Sequence, residues 1–103
     1  MTRSSKQSTA ELASLFDLLS DLTRLRIVLL LAEGESNVTD LCDQLDVSQP
    51  TVSHHLGLLR MSGLVVGKRK GREVIYALDA HAKVAAGKLK VSLPPFSVTL
   101  EGF

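Results

Sequence analysis

The sequence is poor in cysteine and in aromatic residues. Among its 103 residues there is one cysteine, Cys42, no tryptophan, and an aromatic share of only 4%. A single cysteine excludes a disulfide within the chain, which is typical of proteins from a reducing compartment. The longest apolar run covers residues 27–32 and the first eight residues are polar, so we expect neither a membrane-spanning helix nor a signal peptide. These absences predict a soluble, cytoplasmic protein.

Charge is small in total but uneven along the chain. The formal net charge is +1. Residues 1–59 carry four basic and eight acidic side chains, whereas residues 60–90 carry eight basic and two acidic ones. A chain of this length holds one small domain with one core. The near-neutral total therefore conceals a basic segment, which is an electrostatic feature of nucleic-acid-binding proteins.

One stretch predicts a helix with two different faces. Ser48 is a good N-cap residue, Pro50 falls in the first turn, and Gly63 suits the position after the last turn. The residues that share one face, at spacings of three and four, are Val52, His55, Leu56 and Leu59. The short and almost uncharged residues of the other face are Gln49, Thr51, Ser53, His54 and Gly57. Such a face suits close contact with base edges and phosphates.

A β-hairpin with a basic tip follows this helix. Residues 64–66 and 74–78 have high β propensity, and the turn between them holds two glycines. The cations of that turn are Lys68, Arg69, Lys70 and Arg72. A packed core would not accept four unpaired cations, so the tip is either solvated or in contact with an anion. A polar-faced helix followed by a basic-tipped hairpin is the arrangement of a winged helix-turn-helix, whose helix enters the major groove.

The whole chain predicts a mainly α fold with a small β-hairpin. We expect about five helices, a two-stranded wing and an extended C-terminal tail. Residues 1–8 are expected to form a disordered arm, residues 9–90 the winged helix-turn-helix domain, and residues 91–103 an extended apolar tail. We expect this tail to pack on the chain itself or on a partner chain.

The other helices are expected near residues 8–19, 21–32, 37–45 and 79–88. Their predicted N-caps are Ser8, Ser20, Asn37 and Asp79. The last of these helices rests on the helix propensity of its alanines. The prolines at 94 and 95 exclude any continuation of it into the tail.

Four blocks of the sequence resemble the ArsR family of winged-helix repressors. They are LTRLRI at 22–27, VSQPTVSHHL at 47–56, LRMSGLV at 59–65 and GREVIYAL at 71–78. The resemblance covers roughly residues 12–80. It implies a homodimer that binds a short palindromic operator on double-stranded DNA and is released by an inducer. Dimers of the family usually pair through the first and last helices, here the segments near 9–19 and 79–88.

The metal sites common in that family are not matched here. Soft-metal sensors commonly carry a Cys-x-Cys pair in the third helix, where this chain has Asn37 and Thr39. Zinc sensors use Asp-x-His followed by a histidine and an acid, of which only Asp79 and His81 are present. Two ligands do not make a zinc site. We therefore predict no metal and no cofactor, with Asp79 and His81 as the remaining candidate ligands and the effector unknown.

Several candidates have a structural interpretation beside the functional one. His55 lies on the inward face and is interpreted as a half-buried histidine with satisfied hydrogen bonds. Cys42, the one redox candidate, is interpreted as an inert core thiol because no resolving cysteine exists. Three arginines have two open interpretations, a contact with phosphate or an ion pair with a carboxylate of the chain itself. They are Arg24, Arg26 and Arg60.

These observations predict a homodimeric, sequence-specific DNA-binding repressor, with recognition helix 48–62 in the major groove and wing 67–72 on the phosphates. The predicted contacts are Ser48, Gln49, Thr51, Ser53, His54, Arg60, Lys68, Arg69, Lys70 and Arg72. The alternative is a protein-interaction module on the same fold, which would expose aromatic or large apolar groups on the recognition helix. The sequence indicates none there. No catalytic constellation is present, so we predict that the chain is not an enzyme.

Overall fold

The computed structural model describes residues 5–102, with side chains from Ser8 onward. Its helices are α1 (Ser5–Leu19), α2 (Leu22–Glu33), α3 (Val38–Leu45) and α4 (Gln49–Met61). Its strands are β1 (Ser36–Asn37), β2 (Val65–Lys70), β3 (Glu73–Leu78), β4 (Ala82–Ala85), β5 (Lys88–Leu93) and β6 (Phe96–Glu101). The strands form two antiparallel sheets, ordered β1-β3-β2 and β4-β5-β6. No helix among residues 5–102 is long and apolar enough to cross a membrane.

Side-chain caps fix where the middle helices begin. At the start of α3, Asn37 Oδ1 accepts a hydrogen bond of 2.8 Å from the backbone N–H of Asp40, which confirms the predicted cap. Helix α2 begins one residue later than predicted, because Asp21 rather than Ser20 is its cap. Asp21 Oδ2 accepts from the backbone N–H of Arg24 at 2.9 Å. Caps of this kind satisfy donors that the first helical turn leaves without a partner.

The first sheet is the predicted wing with one additional strand. The turn predicted over residues 67–72 is corrected to residues 71–72, because Lys68, Arg69 and Lys70 pair with β3 as part of β2. Strands β2 and β3 form a hairpin whose register pairs Val65 with Leu78 at the base and Lys70 with Glu73 beside the tip. The two residues of β1 add to the outer side of β3, with Asn37 opposite Ile75. Because Asn37 also caps α3, the wing is joined directly to the helix-turn-helix. The winged-helix fold predicted from the sequence is confirmed.

The prediction of a last helix over residues 79–88 is wrong. Residues 79–88 contain a turn followed by β4 and the start of β5, so the described residues form four helices instead of about five. The boundary placed between residues 90 and 91 falls inside β5. The expected extended tail is strand β6, which pairs with β5 along its whole length, from Lys88 opposite Glu101 to Leu93 opposite Phe96. The tail therefore packs on this chain.

Burial explains why a sheet forms where alanines favoured a helix. Helix propensities differ by only fractions of a kcal/mol per residue, and tertiary packing overrides them. Residues 88–91 alternate between lysine and an apolar residue, which is the period of a strand. This alternation buries Leu89 and Val91 completely or nearly so, and they join the main core of the domain. Ala86 and Gly87, both at positive φ, make the tight turn between β4 and β5.

The N-terminal prediction is also corrected. Helix α1 begins at Ser5, so Ser8 lies inside it and is buried instead of capping it. The disorder predicted for residues 1–8 is wrong for residues 5–8, and residues 1–4 lie outside the described residues. Of the predicted inward face of α1, Leu15 is buried while Phe16 is 53% exposed.

One continuous core holds the helices and both sheets together. Its fully buried members come from α2, α3, α4 and both sheets, and they are Ile27, Val28, Leu41, Val52, Leu56, Leu59, Val65, Leu89 and Val91. The inward face predicted for α4 is confirmed, since Val52, Leu56 and Leu59 are at most 1% exposed. This packing fixes which face of α4 remains in contact with solvent.

Candidate nucleic-acid interface

The turn between α3 and α4 sets the angle of the second helix. Helix α3 ends at Asp46, which adopts the left-handed conformation with φ of 55°, and the backbone N–H of Val47 then bonds to Cys42 O at 3.2 Å. Ser48 occupies the N-cap position of α4 as predicted, but its hydroxyl makes no capping bond to the backbone. Instead, Ser48 Oγ lies 3.0 Å from Thr51 Oγ1, which places two hydroxyls together on the surface.

The face of α4 opposite the core is open along its first two turns. The exposed residues there are Ser48, Gln49, Pro50, Thr51, Ser53 and His54. None of these residues makes an ion pair within the described part of the chain. Helix α4 ends at Met61, and Gly63 follows the C-cap Ser62 with φ of 83° and its N–H bonded to Arg60 O at 3.1 Å, so the predicted glycine stop is confirmed.

One large apolar side chain of α4 is exposed, contrary to the sequence prediction that there is none. Met61, the last residue of the helix, is 83% exposed. At 1.5 Å per residue it lies roughly 18 Å along the axis from Gln49. The polar face at the start of α4 is therefore free of large apolar groups, while its far end is not.

His55 holds α4 against the start of α2. Its side chain is 13% exposed, with Nδ1 3.3 Å from a terminal guanidinium nitrogen of Arg24 and Nε2 3.9 Å from Asp21 Oδ2. A guanidinium has no acceptor, so Nδ1 accepts this hydrogen bond. Arg24 Nε also donates to Leu18 O at 2.6 Å, which ties α1 into the same cluster. His55 is thus a half-buried histidine whose Nδ1 is hydrogen-bonded, while its Nε2 faces the Asp21 carboxylate at a distance too long for a hydrogen bond, and Arg24 has a structural role.

The cap at Asp21 should make folding stability depend on acid pH. The hydrogen bond from the backbone N–H of Arg24 to the Asp21 carboxylate holds the pKa of Asp21 below its ordinary value of 3.8. Partial burial raises this pKa, but its effect is smaller. The stabilisation is therefore present above pH 3.8 and is lost as the pH falls through the folded-state pKa. We expect Asp21→Ala to lower the melting temperature by a few degrees at neutral pH.

Asp21→Asn is the matched control for that variant, because asparagine caps a helix about as well as aspartate but does not ionise. Thermal melts from pH 7 to pH 3 should show that Asp21→Asn keeps most of the neutral-pH stability and loses less of it in acid than the wild type. Equal melting temperatures for Asp21→Ala and the wild type at pH 7 would contradict the role given to this cap.

The wing presents four cations, of which one has a carboxylate partner within the described residues. Lys70 Nζ lies 3.2 Å from Glu35 Oε1, with both side chains more than half exposed. An exposed pair of this kind contributes at most about 1 kcal/mol. Lys68, Arg69 and Arg72 are exposed and make no ion pair with the part of the chain that the structure describes. The hydrogen bond from Asn37 Nδ2 to Glu73 Oε1, at 2.8 Å, fastens the strand beside them.

Two further arginines are open to solvent. Arg60, in the last turn of α4, is exposed and has no carboxylate partner among residues 5–102. Arg26 is likewise exposed, on α2, whereas Arg24 is held in the cluster with His55. Within the part of the chain that the structure describes, neither Arg26 nor Arg60 therefore forms the internal ion pair that was the alternative to a phosphate contact.

The remaining candidates lie apart from this surface. Asp79 Oδ1 accepts from the backbone N–H of Ala80 at 2.7 Å and so caps a turn, not a helix. His81 is exposed and packs beside Gly63. Cys42 is half-buried against the core. Residues 5–102 contain no group of three or more histidine, cysteine, aspartate or glutamate side chains that would hold a metal ion. That the protein needs no metal stays a prediction.

A helix pair with a polar second helix, followed by a basic hairpin, defines a winged helix-turn-helix protein. The model of the family described as "Bacterial regulatory protein, arsR family" matches residues 21–66. The chain is 42% identical over 86 residues to the biofilm growth-associated repressor of Xylella fastidiosa (strain Temecula1), covering 82% of this chain and 75% of that protein. The chain belongs to the ArsR family, which is a family of transcriptional regulators and not of enzymes.

Other relatives and solved structures are also transcriptional regulators. The arsenical resistance operon repressor of Escherichia coli K12 is 53% identical over 76 residues, which are 73% of this chain and 65% of that protein. The chain thus spans slightly less than two thirds of that relative's length. Reduced HlyU from Vibrio cholerae N16961 superposes with a TM-score of 0.69 at 31% identity, covering 73% of this chain and 79% of that chain. The transcriptional repressor BigR from Xylella fastidiosa superposes with a TM-score of 0.67 at 39% identity, and the match covers 73% of this chain and 76% of that chain.

Proposed function

We propose that the protein is a homodimeric transcriptional repressor that binds an operator in double-stranded DNA. One observation carries the proposal, namely the exposed polar face at the start of α4. Val52 and Leu56 hold the inner face of this helix in the core, while Gln49, Ser53 and His54 are exposed on the outer face. A major groove admits an α-helix, and side chains of this length reach base edges only when the helix lies close to them.

The roles follow from the chemistry of each group. Gln49 is able to make a bidentate contact to adenine, while the hydroxyls of Ser48, Thr51 and Ser53 and the ring of His54 bond to bases or phosphates. On the wing, Lys68, Arg69, Lys70 and Arg72 lie along the phosphate backbone and release counterions on binding. Arg60 adds a phosphate contact from the end of α4. The protein acts in the cytoplasm, where its operator is accessible.

Binding of the protein to DNA from its own upstream region tests the proposal. A fluorescent duplex of that region is titrated at two salt concentrations, with random duplex as competitor, and with and without Zn(II) or peroxide. We expect salt-sensitive binding that prefers the native sequence, and any loss of affinity on adding Zn(II) or peroxide identifies the inducing signal. Affinity no greater than for random duplex overturns the proposal and supports a protein-interaction module.

A further inference from the structure

The C-terminal sheet has two edges of different character. The edge strand β4 is four residues long and carries Lys83, and the edges of the wing sheet are the two-residue β1 and the lysine-bearing β2. Short length and lysine are devices that keep sheet edges from pairing with other chains. Strand β6 has neither device. It is six residues long, contains no lysine and no proline, and pairs on one side only within residues 5–102.

The outer edge of β6 therefore offers backbone N–H and C=O groups to another strand. Its side chains alternate, with Phe96, Val98 and Leu100 half-buried and Ser97 and Thr99 exposed. The first charged residue, Glu101, is already engaged, because its Oε1 lies 3.0 Å from Lys88 Nζ of the neighbouring strand. Residues 96–100 thus form an uncharged edge, with an apolar side facing the core and a hydroxyl side facing solvent.

We infer that β6 pairs antiparallel with β6 of a second copy of this chain, with the two-fold axis at Val98. In that register Val98 faces its own counterpart, Phe96 faces Leu100, and Ser97 faces Thr99. Apolar residues meet apolar residues and hydroxyls meet hydroxyls, which are favourable cross-strand pairs, and no like charges meet within residues 96–100. This self-complementarity is the reason for choosing a second copy over an unrelated strand.

Pairing at this edge joins the two C-terminal sheets into one sheet of six strands. The apolar faces become continuous across the axis, because Val98 and Leu100 already pack against the cluster that contains Leu89 and Val91. The inference rests on the homodimer of the proposed function and specifies its interface. Two five-residue segments make a small interface, so we expect a weak dimer that dissociates on dilution.

Charge placed on the edge tests the pairing. Ser97→Lys with Thr99→Lys puts two like-charged pairs across the axis, and sedimentation velocity over a concentration series should show the affinity of the dimer weakened on the order of tenfold. The variant with Ser97→Asp and Thr99→Asp, measured alone, should also dimerise more weakly. An equimolar mixture of the double-lysine and double-aspartate variants should restore the dimer, because opposite charges then meet across the axis. Ala80→Lys with Ala85→Lys, two exposed positions outside β6, adds the same charge and should leave dimerisation unchanged.

Cross-linking tests the register in a Cys42→Ala background. Protein carrying Ser97→Cys, mixed with protein carrying Thr99→Cys, should form a covalent dimer with a short bis-maleimide, while Ser97→Cys mixed with Ala85→Cys should not. A monomeric wild type, a dimer insensitive to the lysine pair, or the absence of cross-linking overturns the inference. A monomeric wild type would also overturn the homodimer of the proposed function. A dimer that the lysine pair does not weaken, or that does not cross-link, overturns only the β6 interface, and preference of the wild-type protein for its upstream duplex then leaves the proposed function standing.

Discussion

Replacing Ser53 and His54 together by alanine should remove the preference for the operator while leaving the melting temperature nearly unchanged. Both side chains are exposed on α4, beside the buried Val52 and Leu56, so their truncation opens no cavity in the core. Removing one base-reading side chain costs about 1–3 kcal/mol of discrimination, so the ratio of operator to random-duplex affinity should fall on the order of a hundredfold. Competitive titration measures that ratio.

The matched control carries alanine at Asp43 and Gln44, which are exposed on α3. We expect this variant to keep its preference for the operator and its melting temperature. If instead the Ser53 and His54 variant unfolds many degrees earlier than the wild type, this face of α4 is structural. If that variant keeps full discrimination at an unchanged melting temperature, sequence reading belongs to other residues.

Neutralising Lys68, Arg69 and Lys70 with glutamine should weaken binding to every duplex, whatever its sequence. A protein that neutralises fewer phosphates releases fewer counterions on binding. The slope of log affinity against log salt should therefore become shallower by about 0.9 for each phosphate that is no longer neutralised. Removing the exposed Lys70–Glu35 pair has little effect on folding, because such pairs contribute at most about 1 kcal/mol. Titrations at four or more salt concentrations give the slope.

The C-terminal sheet supplies a control of equal charge. Glutamine at Lys83, Lys88 and Lys90 removes the same three charges from an exposed surface outside the wing. We expect this control to change the salt slope much less than the wing variant does. Equal changes in slope would mean that net charge alone governs binding, and an unchanged slope for the wing variant would place the wing away from DNA.

The helix-turn-helix was readable from the sequence because its signals are local and agree with one another. The cap position at Asn37 concerns only the start of α3. The cap position at Ser48, the apolar spacing of Val52, Leu56 and Leu59, and the glycine at 63 concern only α4 and its two ends. In the wing, Gly71 likewise marks the turn between two β-rich runs, whereas Gly67 lies within β2 opposite Tyr76. Where several local preferences point to the same structure, tertiary contacts have little to override.

The C-terminal sheet was not predicted because its signals compete. Alanines at 80, 82, 85 and 86 favour a helix, while the alternation over residues 88–91 favours a strand. Pairing between β5 and β6 decides between them, and it depends on contacts across a turn that includes Pro94 and Pro95. Cross-strand pairs of this kind are visible in the structure and only weakly encoded in local sequence.

The cluster of Asp21, Arg24 and His55 was only partly readable. The inward position of His55 followed from helical spacing, but its partners are 31 and 34 residues away along the chain. For Arg24 the sequence therefore indicates either a phosphate contact or an internal contact and does not decide between them. The hydrogen bond from the Arg24 side chain to the carbonyl of Leu18 shows that the end of α1 determines the position of Arg24. No local sequence pattern predicts that contact.

The short strand β1 has a consequence for how the protein meets a duplex. Asn37 belongs at once to the wing sheet, through its pairing with Ile75 and its bond to Glu73, and to α3, through its cap. The wing and the helix-turn-helix therefore behave as one preorganised body, whose ordering entropy is lost during folding and not on contact with DNA. In the proposed complex with DNA, a signal that displaces the wing would also displace the start of α3, so both proposed contact surfaces would leave the duplex together.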